Sequence, residues 1–422
     1  MVPRARYQVS IVKKALLTCL LPLLLLPTGC GDGGGEGGIG GVGGVGGPLG
    51  GLGTTSILYV ANNGSDNVSG YSINATGGTL AAIPGSPFFN VSGPSAMAVS
   101  SNGFFAYVTN SRTSTVTAFR VSTEGALLLA PSTSSKPNPV PVEAAPGALA
   151  IAPDTKHLYV AGSGTDTLTA FTIEASGALT LIPQTSGSSN PVSVNGSDPA
   201  AMAITQSGQF LYVANSGSNN VTAFSIGTTG LVSLIAPSGS NANPLSTGGT
   251  SPKSMAISPN GSFLYVANSG SHNVTVFQIG ANGLLTLVPP AGSATNPIST
   301  GTGGTTPNAL VISANGRFLY TANGGGTVSA FTIGSDGLVA LVSSSAGNLN
   351  PISAGANATP VALTMSPDGR FLYVANVANQ GGRVSAFSIN LETGALVPLT
   401  ALVGNPFPAG TTPSAIATPG RP

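Results

Sequence analysis

Apolar and polar residues alternate along this chain in short runs separated by Gly, Asn, Pro and Ser, and the same pattern returns seven times. The clearest copies are SPNGSFLYVANSGSHNVTVFQIG from Ser258 and SPDGRFLYVANVANQGGRVSAFSIN from Ser366. Period-two patterning bounded by turn residues predicts β-strands. In residues 252–290 it places one strand at Ser254–Ser258, a tight turn at Pro259-Asn260-Gly261 and a second strand at Phe263–Asn268. A third follows at Asn273–Ile279, with Val274, Val276 and Phe277 toward the packing face, and a fourth at Leu284–Val288 after the turn Gly280–Gly283. Asn-Gly accepts the positive backbone angles of short hairpin turns. Four antiparallel strands per repeat make one blade.

The anchor tyrosines Tyr59, Tyr107, Tyr159, Tyr212, Tyr265, Tyr320 and Tyr373 are separated by 48, 52, 53, 53, 55 and 53 residues. That period of strand-rich repeats predicts an all-β, seven-bladed β-propeller. Each anchor has an aromatic partner twelve or so residues on, such as Phe277 after Tyr265, and a residue needed in every blade belongs to the core. The first repeat lacks an inner strand, while Pro413–Thr418 is an unpaired copy of one. The C-terminal strand is therefore expected to join the first blade and close the ring, removing open sheet edges.

The N-terminus does not follow this pattern. Arg4, Arg6, Lys13 and Lys14 precede the apolar run Ala15–Leu26, which reads as a cleaved signal over residues 1–29 and is too short for a permanent bilayer span. Leu26-Pro27-Thr28-Gly29-Cys30 resembles a bacterial lipobox, implying lipidation at Cys30, a membrane anchor and an outer-membrane or cell-surface address. From Gly31 to Gly53, 15 of 23 residues are glycine, the composition of a flexible tether. The propeller is assigned to residues 54–422.

Without the signal the chain has nine basic and twelve acidic residues, a net charge of about −3. It carries no basic footprint for nucleic acid. Charged residues are only 6% of the whole against about 25% in ordinary domains, so the surface is rich in hydroxyls and amides, as suits contact with glycans or other surfaces. No cysteine follows Cys30, so the domain can form no internal disulfide. With His157 and His272 the only histidines, no His-rich metal centre is available, and no cofactor is expected. The chain is read as a monomer.

Chemistry is sought where blades differ, at Arg112, Asp166, Lys253, His272 and Arg383. In a blade with strands a to d from the axis outward, the b–c and d–a connections share one face. Lys253 opens an inner strand at the channel, and His272 and Arg112 lie in b–c loops on that face. Asn-Pro recurs at Asn138, Asn190, Asn243, Asn296, Asn350 and Asn405 in long d–a connections, where proline would fix an ordered turn.

FLYVAN and AYVTN in this frame resemble the YVTN-type seven-bladed propellers, a group that includes surface-layer proteins and the 6-phosphogluconolactonase-like lactonases. The resemblance covers roughly residues 55–420. It implies a lactonase site made by Pro-Arg-His before an inner strand and a Glu after a YVxN strand. Here those places read Pro94-Ser95-Ala96, Pro199-Ala200-Ala201, Pro252-Lys253-Ser254, Pro307-Asn308-Ala309 and Pro360-Val361-Ala362. After the YVxN strands stand Asn63, Ser111, Ser163, Ser216, Ser269, Gly324 and Val377. The expectation is accordingly a lipid-anchored module that binds a surface protein or glycan on its loop-rich face, through Lys253, His272 and Arg112, without chemistry. The alternative is a lactonase-type hydrolase with an atypical site around Lys253.

Overall fold

The computed structural model describes residues 56–419, apart from 134, 185–188, 240, 293–294, 345–348, 380 and 400–403. The chain divides into two units, Met1–Pro48 and Leu49–Pro422, and only the second contains described residues. The signal segment, Cys30 and the glycine tether lie outside them.

Among the described residues the strands form seven antiparallel sheets, each one blade of a propeller. Blade five has strand a at Pro252–Ile257, b at Phe263–Asn268, c at Asn273–Ile279 and d at Leu285–Leu287. The first blade is composite. Its strands b, c and d are Ser56–Asn62, Asn67–Ile73 and Leu80–Ala82, and its strand a is Pro413–Ala417 from the far end of the chain. Tyr59 pairs with Ala417, Val60 with Ile416 and Ala61 with Ala415, which seals the ring as the sequence predicts.

Neighbouring blades are joined by one repeated contact. Every anchor tyrosine is fully buried and donates its hydroxyl to the carbonyl of a glycine in the next blade's c–d turn, at 2.5–3.1 Å. The bonds run from Tyr59 to Gly125 around the ring and return from Tyr373 to Gly78. All seven glycines have positive φ. A Cβ on any of them would stand 2.2–2.5 Å from the residue two before the tyrosine: Ile57, His157 or one of five phenylalanines. His157 thus fills a packing position.

The alternation read as apolar-in, polar-out is realised differently. On strand c of blade five Val274, Val276 and Phe277 are buried, and so is Thr275 between them. Both faces of an interior blade are covered by its neighbours, so the polar set needs internal partners. Thr275 finds them: its hydroxyl donates to the Thr247 carbonyl of the preceding connection at 2.6 Å and accepts from Asn268 Nδ2 at 2.8 Å.

The d–a connections are not simple loops on one face. In six blades the connection first returns to strand c as a two-residue strand, Ile298–Ser299 in blade five. The Asn-Pro device lies between strand d and this segment, at the outer edge. Asn296 accepts from the Val276 N–H and donates to the Val276 and Val288 carbonyls, at 2.8–2.9 Å. Its amide takes the place of a missing backbone unit, and the Asn-Pro peptides are cis.

Candidate functional site

Each strand a begins with proline, or one residue before it in blade seven, and in all seven blades the register with strand b slips by one at that point. Proline has no N–H to offer the ladder, and a bulge leaves the next residue unpaired and re-aims its side chain. The bulged residues are Ser95, Gly147, Ala200, Lys253, Asn308, Val361 and Ser414. They form a ring at the mouth where the inner strands start. Ser95 donates to the Pro146 carbonyl at 2.5 Å, Asn308 Nδ2 to Pro360 at 2.9 Å and Ser414 to Pro94 at 2.6 Å. The polar members thus bond to the next blade, whereas Lys253 is exposed and is the one ionisable residue in the seven inner strands.

The residues after the YVxN strands stand beside this ring and also bond to backbone. Asn63 Nδ2 donates to Pro94 at 3.1 Å, Ser111 Oγ to Gly93 at 2.8 Å and Ser163 Oγ to Ala145 at 3.1 Å.

His272 occupies a slot that other blades fill with a different acceptor. The last residue of the b–c loop adopts left-handed φ at Asp66, Asp166, Asn219 and His272. From there its side chain accepts a backbone N–H just ahead of the next blade's strand a. Asp66 bonds to Gly93, Asp166 to Asp198, Asn219 to Ser251 and His272 Nδ1 to Thr306, at 2.6–2.8 Å. Accepting at Nδ1 places the ring proton on Nε2, so neutral His272 offers a donor, not a base, to the face. The signal that could have identified this role was positional equivalence with two aspartates and an asparagine, which no residue-type motif captures.

Arg112 spans blades one and two, paired with Asp66 and donating from Nη2 to the Asn63 carbonyl at 2.9 Å. Both partners are about half exposed, and such pairs contribute about 0–1 kcal/mol. Arg383 starts strand c of blade seven opposite Asn376. Lys253 and His272 share blade five, and Arg112 lies three blades away. Among the described residues no three His, Cys, Asp or Glu side chains gather as a metal site would require.

The other mouth differs in character. Where the inner strands of blades two to four end, a cavity of about 420 Å³ is lined by Val99, Ile151, Met202 and Ile204, with Ser101 and Gln206 from the a–b turns. None of the ionisable candidates reaches it.

These features define a seven-bladed propeller with one cationic side chain on a ring of bulged inner-strand residues. The model of the family described as "Lactonase, 7-bladed beta-propeller" matches residues 52–240, 191–299 and 290–396, and the chain belongs to that family. No curated protein matches the sequence. Among solved structures, a Lactobacillus plantarum protein is similar at 19% identity and TM-score 0.66, with 86% of this chain and 99% of that one covered. The periplasmic gluconolactonase of Pseudomonas aeruginosa is similar at 19% identity and TM-score 0.66, with 87% of this chain and all of that one covered. At such identity these likenesses establish the fold.

The expectation of a binding module without chemistry is overturned by the family match, which favours the lactonase alternative. The Arg-His pair and the glutamate of the family pattern are absent here, yet a fold of this kind carries sites that vary on a fixed scaffold, so their absence does not exclude a lactonase site at the propeller mouth.

Proposed function

We propose that this chain is a lactonase-type hydrolase whose site is the channel mouth at Lys253. One observation carries the reading: in a chain of the lactonase family, the one ionisable residue of the inner strands stands at the bulge. Water adds to the lactone carbonyl carbon, and the carbonyl electrons move onto oxygen. The Lys253 ammonium steadies that oxyanion, the type of contribution that dominates acyl transfer. Collapse breaks the ring acyl–oxygen bond, and the leaving alkoxide takes up a proton to give a hydroxy acid. With Asn308 Nδ2 held by Pro360, the amide oxygen of Asn308 is left as an acceptor to orient the water.

Full-length protein assayed against a panel of five- and six-membered lactones is expected to turn over at least one of them. Lys253→Ala is expected to lower kcat by about 10²–10³, the cost of removing one oxyanion donor. A variant as active as the parent would remove Lys253 from the mechanism, and a panel without turnover would defeat the lactonase reading.

For location we propose an extracytoplasmic enzyme held to a membrane through lipidated Cys30, supported by the signal-like N-terminus and the lipobox-like Leu26–Cys30. The similar Pseudomonas aeruginosa protein is described as periplasmic. Cells fed a palmitate analogue are expected to label the parent and not Cys30→Ser, and label retained in that variant would refute the anchor.

A further inference from the structure

At the bulge ring, three junctions between blades are tied by the bulged side chain itself, through the bonds from Ser95, Asn308 and Ser414 to the proline carbonyl of the next blade. Lys253 makes no such bond and stands exposed at the mouth. The junction between blades five and six therefore lacks this tie. It is also the junction where the proposed chemistry needs two groups held in a fixed relation, Lys253 on one blade and Asn308 on the other.

One residue deeper, the same junction is tied in another way. The position after the bulge is alanine in six blades, at Ala96, Ala148, Ala201, Ala309, Ala362 and Ala415, and serine in blade five, at Ser254. Ser254 Oγ accepts the Leu310 N–H of blade six at 3.0 Å. That N–H has no partner within its own sheet. Ser313 bonds to Phe318 across strands a and b of blade six, and bonded and unbonded pairs alternate along an antiparallel ladder, so Leu310, opposite Thr321, turns its N–H away from strand b. Alanine serves at this position six times, so packing alone does not call for a hydroxyl. Ser254 adjoins Lys253, and Leu310 lies two residues from Asn308. One bond thus joins the two strands that carry the proposed oxyanion donor and the water-orienting amide, close to both.

We propose that Ser254 is a positioning residue: it supplies the tie that Lys253 gives up, leaving the ammonium free for substrate while blades five and six keep their placement at the mouth. This deepens the lactonase reading and rests on it.

The test combines kinetics with an exchange measurement on the full-length protein. Misplacing a reacting group by about 1 Å can cost about 10²-fold, and Ser254→Ala, which removes one bond from an otherwise intact ring, is expected to lower kcat by about five- to twentyfold with KM within about twofold of the parent. Ser254→Thr, which keeps the hydroxyl, is expected to recover most of that loss. In a Lys253→Ala background Ser254→Ala is expected to cost nothing further, because its effect passes through Lys253. By NMR, the Leu310 amide is expected to exchange about three- to tenfold faster in Ser254→Ala than in the parent, as loss of one hydrogen bond implies, a readout that needs no turnover. A parent-like kcat in Ser254→Ala, a change confined to KM, or a loss that adds in full to that of Lys253→Ala would overturn the positioning role while leaving the lactonase standing. A Leu310 amide indifferent to Ser254→Ala would overturn the tie itself. A parent that opens no lactone would sink the lactonase reading, and the catalytic role of Ser254 with it, whereas faster Leu310 exchange in the variant would still establish the tie.

Discussion

Truncation after Ala409 is expected to abolish the cooperative fold. The lost segment supplies strand a of blade one, whose Pro413–Ala417 pair with Tyr59–Asn62. Ile416 packs in one cluster with Leu58 and Val60, and Ala417 in another with Tyr59 and Met97. The cut also removes the bonds from Ser414 Oγ to the Pro94 and Ala61 carbonyls and from Thr418 Oγ1 to Met365. Strand b of blade one, SILYVAN, would become an open and largely apolar edge, the kind that templates aggregation. Blades two and seven would each lose an inner neighbour. Against a total stability of about 5–15 kcal/mol, loss of one strand from a closed ring is not a trimmed tail. Size-exclusion chromatography and thermal unfolding of residues 1–409 test this. A monomeric variant melting within a few degrees of the parent would mean that the ring does not depend on its last strand.

Alkaline unfolding is expected to begin near pH 10 and to be steep. Burial raises the pKa of each of the seven anchor tyrosines well above its ordinary value, with Asp154, Asp336 and Asp368 adding to the effect on Tyr159, Tyr265 and Tyr373. The folded chain therefore keeps its tyrosine protons after the unfolded chain has released them, near pH 10. Stability from these groups is complete below pH 10 and falls as pH rises toward the folded-state values. Each tyrosine weakens the fold by about 1.4 kcal/mol per pH unit in that window, and seven together by about 10 kcal/mol, of the order of the whole stability. Circular dichroism and tyrosinate absorbance followed in parallel from pH 8 to 12 are expected to change together over a narrow interval. Gradual ionisation centred on the ordinary tyrosine range, with strand content intact, would show that the hydroxyls are not held as the Tyr–Gly bonds require.

The tyrosines also show how far local pattern reaches. Their spacing and their aromatic partners place them in a core, but that each hydroxyl reaches Gly125, Gly177 and their equivalents depends on where the next blade's c–d turn arrives. Residues 66–74 positions apart meet there, and Tyr373 meets Gly78 across 295. His272 makes the same point at the candidate site. In sequence it is a loop histidine. In the ring it is the acceptor for Thr306, thirty-four residues on, at the junction where Asp66, Asp166 and Asn219 accept the corresponding N–H in three other blades.

The sequence by itself determined the number of blades, the four main strands within each, the turns at Asn-Gly and the strand that closes the ring, though not the two-residue strand that six blades add on strand c. These follow from period-two patterning and a repeat near 53 residues, both local properties of the chain. Only the tertiary structure decided which polar groups are internal ties and which face the channel. Thr275 is buried and satisfied, Asn296 patches an outer edge, and Ser95 bonds to Pro146 while Lys253 remains exposed at an equivalent bulge. A side chain's partner is set by the blade beside it, and that neighbour is a distant stretch of chain brought near by closure of the ring.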